Sequence, residues 1–350
     1  MATTCAIPRA VPEGSVPLLA VEGTAYGCGQ QYGQIVLQKY PGYRRYLDQV
    51  PPWRSLPAEV RRLFEQRAPY VLDIYRGLDD ATAVVTSTPA SACSSPADKS
   101  GGCTSFGVAG SVTLDGQPIS GQTKDTVVES ATLYIVLRMR IHDGPTILVL
   151  AYPGEVLGYG LWSTGMSIFR NSLWSREGEM KGLTMEQWGP LALACKTVDE
   201  AAELALRHGI STVGNFLISD ASGKSVSVES NVGGVSIVPA RDGIATHAND
   251  PVGERTEPLA YHPVPLNLED SRYRMARLWE LLDGERGRLT AQRAMMCFAD
   301  HSHYPLGICR HIDGVDIGCT TAAVVVEPTR GLLHVTRSNP CANWPTTYTL

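Results

Sequence analysis

The residues best suited to chemistry are a glycine pair and the cysteine that follows it, Gly101-Gly102-Cys103, where a loop gives way to a run with strand character. Glycine tolerates backbone angles that other residues avoid, so the Gly102 carbonyl can be turned toward the Cys103 thiol. Attack by the thiol would convert the peptide into a thioester, and hydrolysis would leave Cys103 as a new N-terminal residue. Its free α-amine, with a usual pKa of about 7.7–8.0, would then be the base for its own thiol. A plain loop before a buried cysteine fits the same residues, so both interpretations stay open.

The composition describes a globular chain and excludes several classes of function. The 350 residues are 43% hydrophobic and 19% charged, with a net charge of −5, and they suffice for a large core in one domain. No Lys/Arg cluster is present, which argues against nucleic acid as a partner. Since no apolar run reaches about 18 residues and no signal-peptide pattern opens the chain, we expect a cytoplasmic protein without membrane association.

Nine cysteines without a C-x-x-C pair argue against a disulfide framework and against a zinc knuckle. His301-x-His303 could ligate a metal only with further ligands that the sequence does not identify. A Cys/His protease would need a histidine base, and His247 and His311 stand in the richest contexts, but their spacing selects neither. We therefore expect no metal and no cofactor.

The hydrophobic pattern predicts helices and several antiparallel hairpins in an α+β arrangement. Helices are predicted through residue 37, over 56–74 with a break at Pro69, and over 197–208, 271–282 and 290–298. Short strands are predicted at 16–22 and 166–169, and hairpins over 104–125, 133–152, 215–229 and 320–336. Residues 77–102 are predicted to be a loop or linker.

The first hairpin matters most because it carries Cys103. If its turn is centred on Asp115-Gly116, a strong hairpin pair, Cys103 faces residue 128. Asp125 would then lie about three residues along the partner strand, within ~10 Å of the cysteine.

Five short motifs, in order along the chain, resemble the peptidase C45 family, the family of acyl-coenzyme A:6-aminopenicillanic acid acyltransferase. They are GCTS at residues 102–105, GQTKD at 121–125, GNFLISD at 214–220, THAN at 246–249 and ICRH at 308–311. Residues 23–33 and 339–341 are also similar to that family. Each motif is weak by itself, but five in register cover nearly the whole chain.

This resemblance implies a four-layer αββα fold with antiparallel sheets, the N-terminal nucleophile hydrolase fold. It implies one self-processing domain over residues 1–350, cut between Gly102 and Cys103 into an α chain, 1–102, and a β chain, 103–350, that stay associated as a heterodimer. Cys103 would be the nucleophile, Asp125 would hold its amine and steer maturation, Asn249 would donate to the oxyanion, and Arg310 would orient or charge-stabilise the cysteine. The substrate would be an N-acyl amide of a small molecule in specialised metabolism, with an acyl-CoA or an amine acceptor as a further partner.

Two departures from the family pattern bear on the substrate. Thr123-Lys124 precede Asp125 where relatives carry Asn-Trp or Asn-Tyr, and Asp250 follows Asn249 where a histidine or an aromatic residue is commoner. A hydrated, flexible Lys124 beside the site would favour hydrolysis of the acyl group over its transfer. The alternative is an uncleaved binding or scaffold module without turnover.

Overall fold

The computed structural model of the protein describes residues 14–40, 56–82, 102–312 and 318–350. Two β-sheets lie face to face, and helices cover the outer face of each sheet, which gives four layers in the order αββα. The helices are α1 (Ala25–Lys39), α2 (Ala58–Arg67), α3 (Pro69–Thr82), α4 (Met185–Leu193), α5 (Val198–His208), α6 (Pro265–Gly284) and α7 (Ala291–Cys297). The strands are β1 (Leu18–Gly23), β2 (Cys103–Val108), β3 (Ile119–Val127), β4 (Ile135–Ile141), β5 (Thr146–Ala151), β6 (Tyr159–Trp162), β7 (Ser167–Asn171), β8 (Gly214–Ser219), β9 (Ser225–Asn231), β10 (Gly234–Pro239), β11 (Ile244–His247), β12 (Gly318–Glu327), β13 (Leu332–Arg337) and β14 (Thr346–Thr349).

The eight-stranded sheet has the order β1-β4-β5-β6-β7-β8-β9-β10, and the six-stranded sheet has the order β11-β2-β3-β12-β13-β14. All neighbours are antiparallel except β1 and β4, which are parallel. The expected αββα fold with antiparallel sheets is therefore confirmed, with one parallel pair at an edge that the sequence did not predict.

Three apolar clusters hold the layers together. One lies between helices α1–α5 and the eight-stranded sheet, a second lies between the two sheets, and a third lies between the six-stranded sheet and helices α6 and α7. Because each sheet is covered on both faces, strands such as β12 are buried along their whole length. In sequence, strands that are buried on both faces lack the alternation of apolar and polar residues that marks a half-exposed strand.

Local signals set several element boundaries. Pro69 ends one helix and begins the next, as predicted, because proline is tolerated in the first turn of a helix and breaks its interior. Helix α5 begins after Thr197, whose side chain accepts a hydrogen bond from the Glu200 N–H at 3.3 Å, and it ends at Gly209 with a φ of +70°. The hairpins β4–β5, β8–β9 and β12–β13 also form where the sequence predicted them.

The predicted register of the first hairpin is wrong. Cys103 pairs with Lys124, not with residue 128, and the Asp125 N–H donates to the Gly102 carbonyl at 2.9 Å. The strands do not continue to a tight turn at Asp115-Gly116, because β2 ends at Val108 and β3 begins only at Ile119. Asp125 thus lies one residue along the partner strand from the position opposite Cys103, rather than three.

Some elements escaped prediction. The sequence did not predict strands β6, β10, β11 and β14 or helix α4. The linker predicted over residues 77–102 lies mostly outside the described residues, although α3 extends into it as far as Thr82.

Within the described ranges, no helix is both long and apolar enough to cross a membrane.

Helices α1 and α3 touch backbone to backbone, and glycines make that contact possible. An ideal Cβ on Gly29 would lie 2.0 Å from the Ile74 carbonyl oxygen, and one on Gly77 would lie 2.1 Å from the Tyr26 carbonyl oxygen. Gly29 and Gly77 are therefore packing residues.

Gly29→Ala should lower the free energy of unfolding by at least about 3 kcal/mol, the upper end of the usual cost of overpacking, because the obstructing atoms are backbone. Gly284→Ala is the matched control, since nothing lies within 4 Å of the position of its Cβ, and it should change stability by less than about 1 kcal/mol. Urea unfolding in a Cys103→Ala background, which is expected to stay a single chain, measures both. Equal effects of the two substitutions would contradict this account of the helix contact.

Candidate active site

The residues singled out in the sequence converge at one end of the six-stranded sheet. Cys103 opens β2, Asp125 lies on the neighbouring β3, Asn249 follows β11, and Arg310 precedes β12. Because β11, β2, β3 and β12 are consecutive in the sheet, these ends are adjacent. All four side chains are at least nine-tenths buried.

Arg274 on α6 joins these strand ends. Its guanidinium donates from Nη1 to the Cys103 carbonyl oxygen at 2.9 Å and to Thr104 Oγ1 at 2.8 Å, and from Nη2 to Asn249 Oδ1 at 2.9 Å. Its Nε donates to Asp270 Oδ2 at 2.8 Å, one helical turn earlier. The side chain is fully buried, so these bonds replace its hydration.

Asn249 holds the peptide nitrogen of Cys103. Its Oδ1 accepts the Cys103 N–H at 3.1 Å, while its Nδ2 donates to the Ser172 carbonyl oxygen at 2.8 Å. The Asn249 and Asp250 N–H groups both donate to Ser271 Oγ, at 2.8 and 2.7 Å, which fixes this loop against α6. The oxyanion role expected for Asn249 would require its Nδ2 to exchange the Ser172 carbonyl for the substrate.

Asp125 lies among cations on the side of the sheet that faces α6. Its Oδ1 accepts a hydrogen bond from Thr320 Oγ1 at 2.8 Å. Burial raises the pKa of Asp125 above its usual value, and the positive charges of Arg274 and Arg310 offset only part of that shift.

Gly102 occupies the space between these charges. An ideal Cβ at this position would lie 3.0 Å from Asp125 Oδ2, 3.3 Å from Arg274 Nη2 and 3.5 Å from Arg310 Nη1. The close approach of these three charged side chains leaves little room for a side chain at this position.

The sulfur of Cys103 faces the opposite side, between the two sheets. Directly opposed residues of an antiparallel pair share a face, and Lys124 Nζ accordingly lies 3.8 Å from Cys103 Sγ. Lys124 also donates to the Tyr159 hydroxyl at 2.8 Å and lies 4.5 Å from the centre of that ring. Burial acts to lower the pKa of Lys124, but the attraction of Cys103, Tyr159 and Tyr152 in their ionised forms outweighs it, and the pKa lies well above its usual value.

The expectation of a flexible, hydrated Lys124 is therefore wrong. Only 8% of this residue is exposed, because its partner strand and Tyr159 of the other sheet enclose it. Hydrolysis was favoured over transfer because Lys124 was expected to be hydrated, and its burial removes that reason. The second departure, Asp250, pairs with Arg272 on α6.

Neither candidate histidine contacts the cysteine. His247 is buried with Nε2 at 2.6 Å from Glu229 Oε1 and Nδ1 at 2.9 Å from the Ala248 carbonyl oxygen. His311 lies in a different group of side chains. Among the residues that the structure describes, the surroundings of Cys103 thus offer an amide, two arginines, a lysine and an aspartate, but not an imidazole base.

One family model matches more than half of the chain. It is the model of acyl-coenzyme A:6-aminopenicillanic acid acyl-transferase, and it matches residues 113–341, which include Asp125, Asn249 and Arg310 but not Cys103. The chain belongs to this family. It is accordingly an enzyme, a hydrolase or an acyltransferase, and the resemblance noted in the sequence is confirmed.

Solved structures give weaker likenesses. A mutant of conjugated bile acid hydrolase from Clostridium perfringens is 12% identical with a TM-score of 0.47, over 71% of this chain and 97% of that one. Penicillin V acylase from Agrobacterium tumefaciens is 15% identical with a TM-score of 0.40, over 70% of this chain and 84% of that one. No curated protein sequence matches this chain. The fold is established by the layers and the strand order of this chain itself.

Sequence reasoning missed Arg274, although a signal for it was present. Asp270, Arg274, Leu278 and Leu282 recur every four residues and form the buried face of α6. An acidic and a basic residue spaced i, i+4 on an apolar helix face predict a buried ion pair. The spacing alone does not identify the groups other than Asp270 that the guanidinium binds.

Arg274→Met should destabilise the protein by about 3–5 kcal/mol, the usual cost of removing one partner of a buried ion pair, because Asp270 would lose its buried cation. Arg277→Met is the control on the same helix. Arg277 pairs with Asp300 and Glu280 while partly exposed, so its replacement should cost about 1 kcal/mol or less. Urea unfolding in the Cys103→Ala background measures both. Equal losses in the free energy of unfolding would contradict the special importance given to Arg274.

Proposed function

We propose that the chain cuts itself between Gly102 and Cys103 and that the freed Cys103 then cleaves N-acyl amides of small molecules through an acyl-thioester. The observation that carries the proposal is the hydrogen bond from the Cys103 N–H to Asn249 Oδ1 at 3.1 Å. This nitrogen belongs to the scissile peptide before cleavage and is the α-amine after it. One contact would therefore serve both states.

In the maturation step, the Cys103 sulfur attacks the Gly102 carbonyl carbon. The C–N bond breaks, the nitrogen takes up the thiol proton, and a Gly102–Cys103 thioester remains, which water cleaves to a Gly102 carboxylate and a free thiol. The Asp125 N–H lies 2.9 Å from the Gly102 carbonyl oxygen, where it supports the negative charge that attack develops on that oxygen. Arg274 and Arg310 beside Gly102 add positive charge at the same place.

In the mature enzyme, the α-amine takes the proton from the Cys103 thiol, and the sulfur attacks the amide carbonyl of the substrate. The amine product leaves with that proton, and the acyl group remains on sulfur. Lys124 Nζ, 3.8 Å from Sγ, stabilises negative charge on the sulfur. Water or a second amine then takes the acyl group from the thioester, which reacts with either.

Association of the two products is supported by the packing of the residues before the cut. Strand β1 pairs with β4 along its length, and α1, α2 and α3 contribute residues such as Tyr32, Phe64 and Ile74 to the core on the eight-stranded sheet. A chain of residues 1–102 would expose this apolar surface if it left. We therefore expect the two chains to remain a heterodimer.

Acid quenching during turnover of a chromogenic N-acyl amide should trap the acyl group on the chain that begins at Cys103, as a mass increase equal to the acyl group. In matured protein, Asn249→Ala should lower kcat/KM by roughly 10²–10³-fold, as for the loss of an oxyanion donor. Asn343→Ala is the matched control, because Asn343 donates only to the Asn339 carbonyl within the described contacts. Turnover without acylation of Cys103, or near-normal turnover by Asn249→Ala, would contradict the assigned roles.

Adding amines to the same reaction separates the two fates of the thioester. Binding that holds an amine in line gives an effective concentration that outcompetes bulk water, so a transferase diverts the acyl group to an amine with saturation. A hydrolase gives transfer that rises only in proportion to the added amine. An uncleaved binding module would show neither product.

A further inference from the structure

A second group of reactive side chains lies next to Arg310 in the sequence and has no part in the chemistry described above. It consists of His301, Cys309, His311 and Cys341, and one ligand atom from each lies within 4.8 Å of all the others. Cys309 is buried, His311 is half-buried, and His301 and Cys341 are exposed. The residues come from the loop between α7 and β12 and from the segment after β13.

The two imidazole-to-thiol distances within this group fit a tetrahedral ion. His301 Nε2 lies 3.0 Å from His311 Nε2, and this same His311 atom lies 3.6 Å from Cys309 Sγ and 3.5 Å from Cys341 Sγ. With Zn–N of about 2.0–2.1 Å and Zn–S of about 2.3 Å, neighbouring ligands of a tetrahedral zinc ion lie about 3.3–3.8 Å apart. A hydrogen bond between the two imidazoles would explain their contact but not the arrival of two thiols at the same atom.

The surrounding structure holds the ligands in place. Asn339 Nδ2 donates to Cys309 Sγ at 3.5 Å and to the Arg310 carbonyl oxygen at 2.8 Å, a contact of the kind that outer groups make to metal-bound thiolates. The Cys309 N–H donates to the Asp300 carbonyl at 3.1 Å, and the His311 N–H donates to the Pro305 carbonyl at 2.9 Å. Cys309 and His311 are thus each positioned by a hydrogen bond of their own backbone.

We propose that His301, Cys309, His311 and Cys341 bind one Zn²⁺ ion as a closed Cys₂His₂ site. Two thiolates and two imidazoles are a ligand set that favours zinc over magnesium or calcium, and each thiol releases its proton to solvent on binding. The sequence did not suggest this site because its four residues are spread over about forty positions. His303, the apparent partner of His301, is directed instead to Asp270, 3.3 Å away.

Such a site would be structural, since four protein ligands leave no position open for substrate. Two of its ligands flank Arg310 in the chain, so the ion would fix the backbone that presents Arg310 to Gly102. It would also fasten the segment after β13 to this loop. The proposal stands on the ligand geometry and is independent of the proposed self-cleavage.

Metal analysis of protein purified under reducing conditions without chelator tests the proposal. We expect about one zinc per chain, as for structural sites of this ligand set. His301→Asn and Cys341→Ser should each lose the ion, whereas His303→Asn, the matched histidine control, should retain it. Asn339→Ala should weaken zinc binding by ~10–100-fold, the usual effect of removing an outer contact.

Cobalt titration of metal-free wild-type protein gives a reading that does not depend on the folding of variants. Thiolate-to-cobalt charge-transfer bands together with tetrahedral d–d bands at one equivalent would support the site. Absence of stoichiometric zinc and cobalt binding, a Cys309–Cys341 disulfide in place of the ion, or equal loss of zinc in His303→Asn and His301→Asn would overturn the proposal.

Discussion

The structure around Cys103 depends on one buried cation. The guanidinium of Arg274 is fully enclosed, and a buried charge is tolerated only when it is paired and its donors are satisfied. Its four bonds reach Asp270, the Cys103 carbonyl, Thr104 and Asn249. To satisfy this one group, α6, the start of β2 and the loop after β11 must all take their observed positions.

The alternation of side chains along β3 separates two sets of contacts. Asp125 points to the helix side, where it meets the arginines and Gly102, while Lys124 points between the sheets, where it meets the Cys103 sulfur. The backbone of Cys103 is therefore held on one side of the sheet and its sulfur is stabilised on the other. Because successive residues of a strand face opposite ways, a shift of register by one residue would exchange these environments.

The sequence predicted much of the fold because its signals are local. Turn residues and alternating apolar residues marked the hairpins, and Pro69 marked a helix boundary. The register of the β2–β3 hairpin was wrong because Asp115-Gly116 lies within a longer connection. The four short strands were missed because segments of four to six residues carry little periodicity. The parallel pairing of β1 with β4 joins residues more than a hundred positions apart.

The site was only partly visible in the sequence, for a different physical reason. Cys103, Asp125, Asn249 and Arg310 stand in recognisable motifs, so resemblance to a family found them. Arg274 and the burial of Lys124 depend on which elements pack together, and the four metal-type ligands become a group only when the end of β13 meets the loop before β12. These contacts between distant elements leave no pattern along the chain.

Intact-mass spectrometry with N-terminal sequencing of purified wild-type protein tests the central claim most directly. The account predicts two co-purifying chains, one of which begins at Cys103, while Cys103→Ala stays a single chain of 350 residues. A wild-type protein that remains one chain with full amide-cleaving activity would contradict it, and so would cleavage of the Cys103→Ala variant at the same bond.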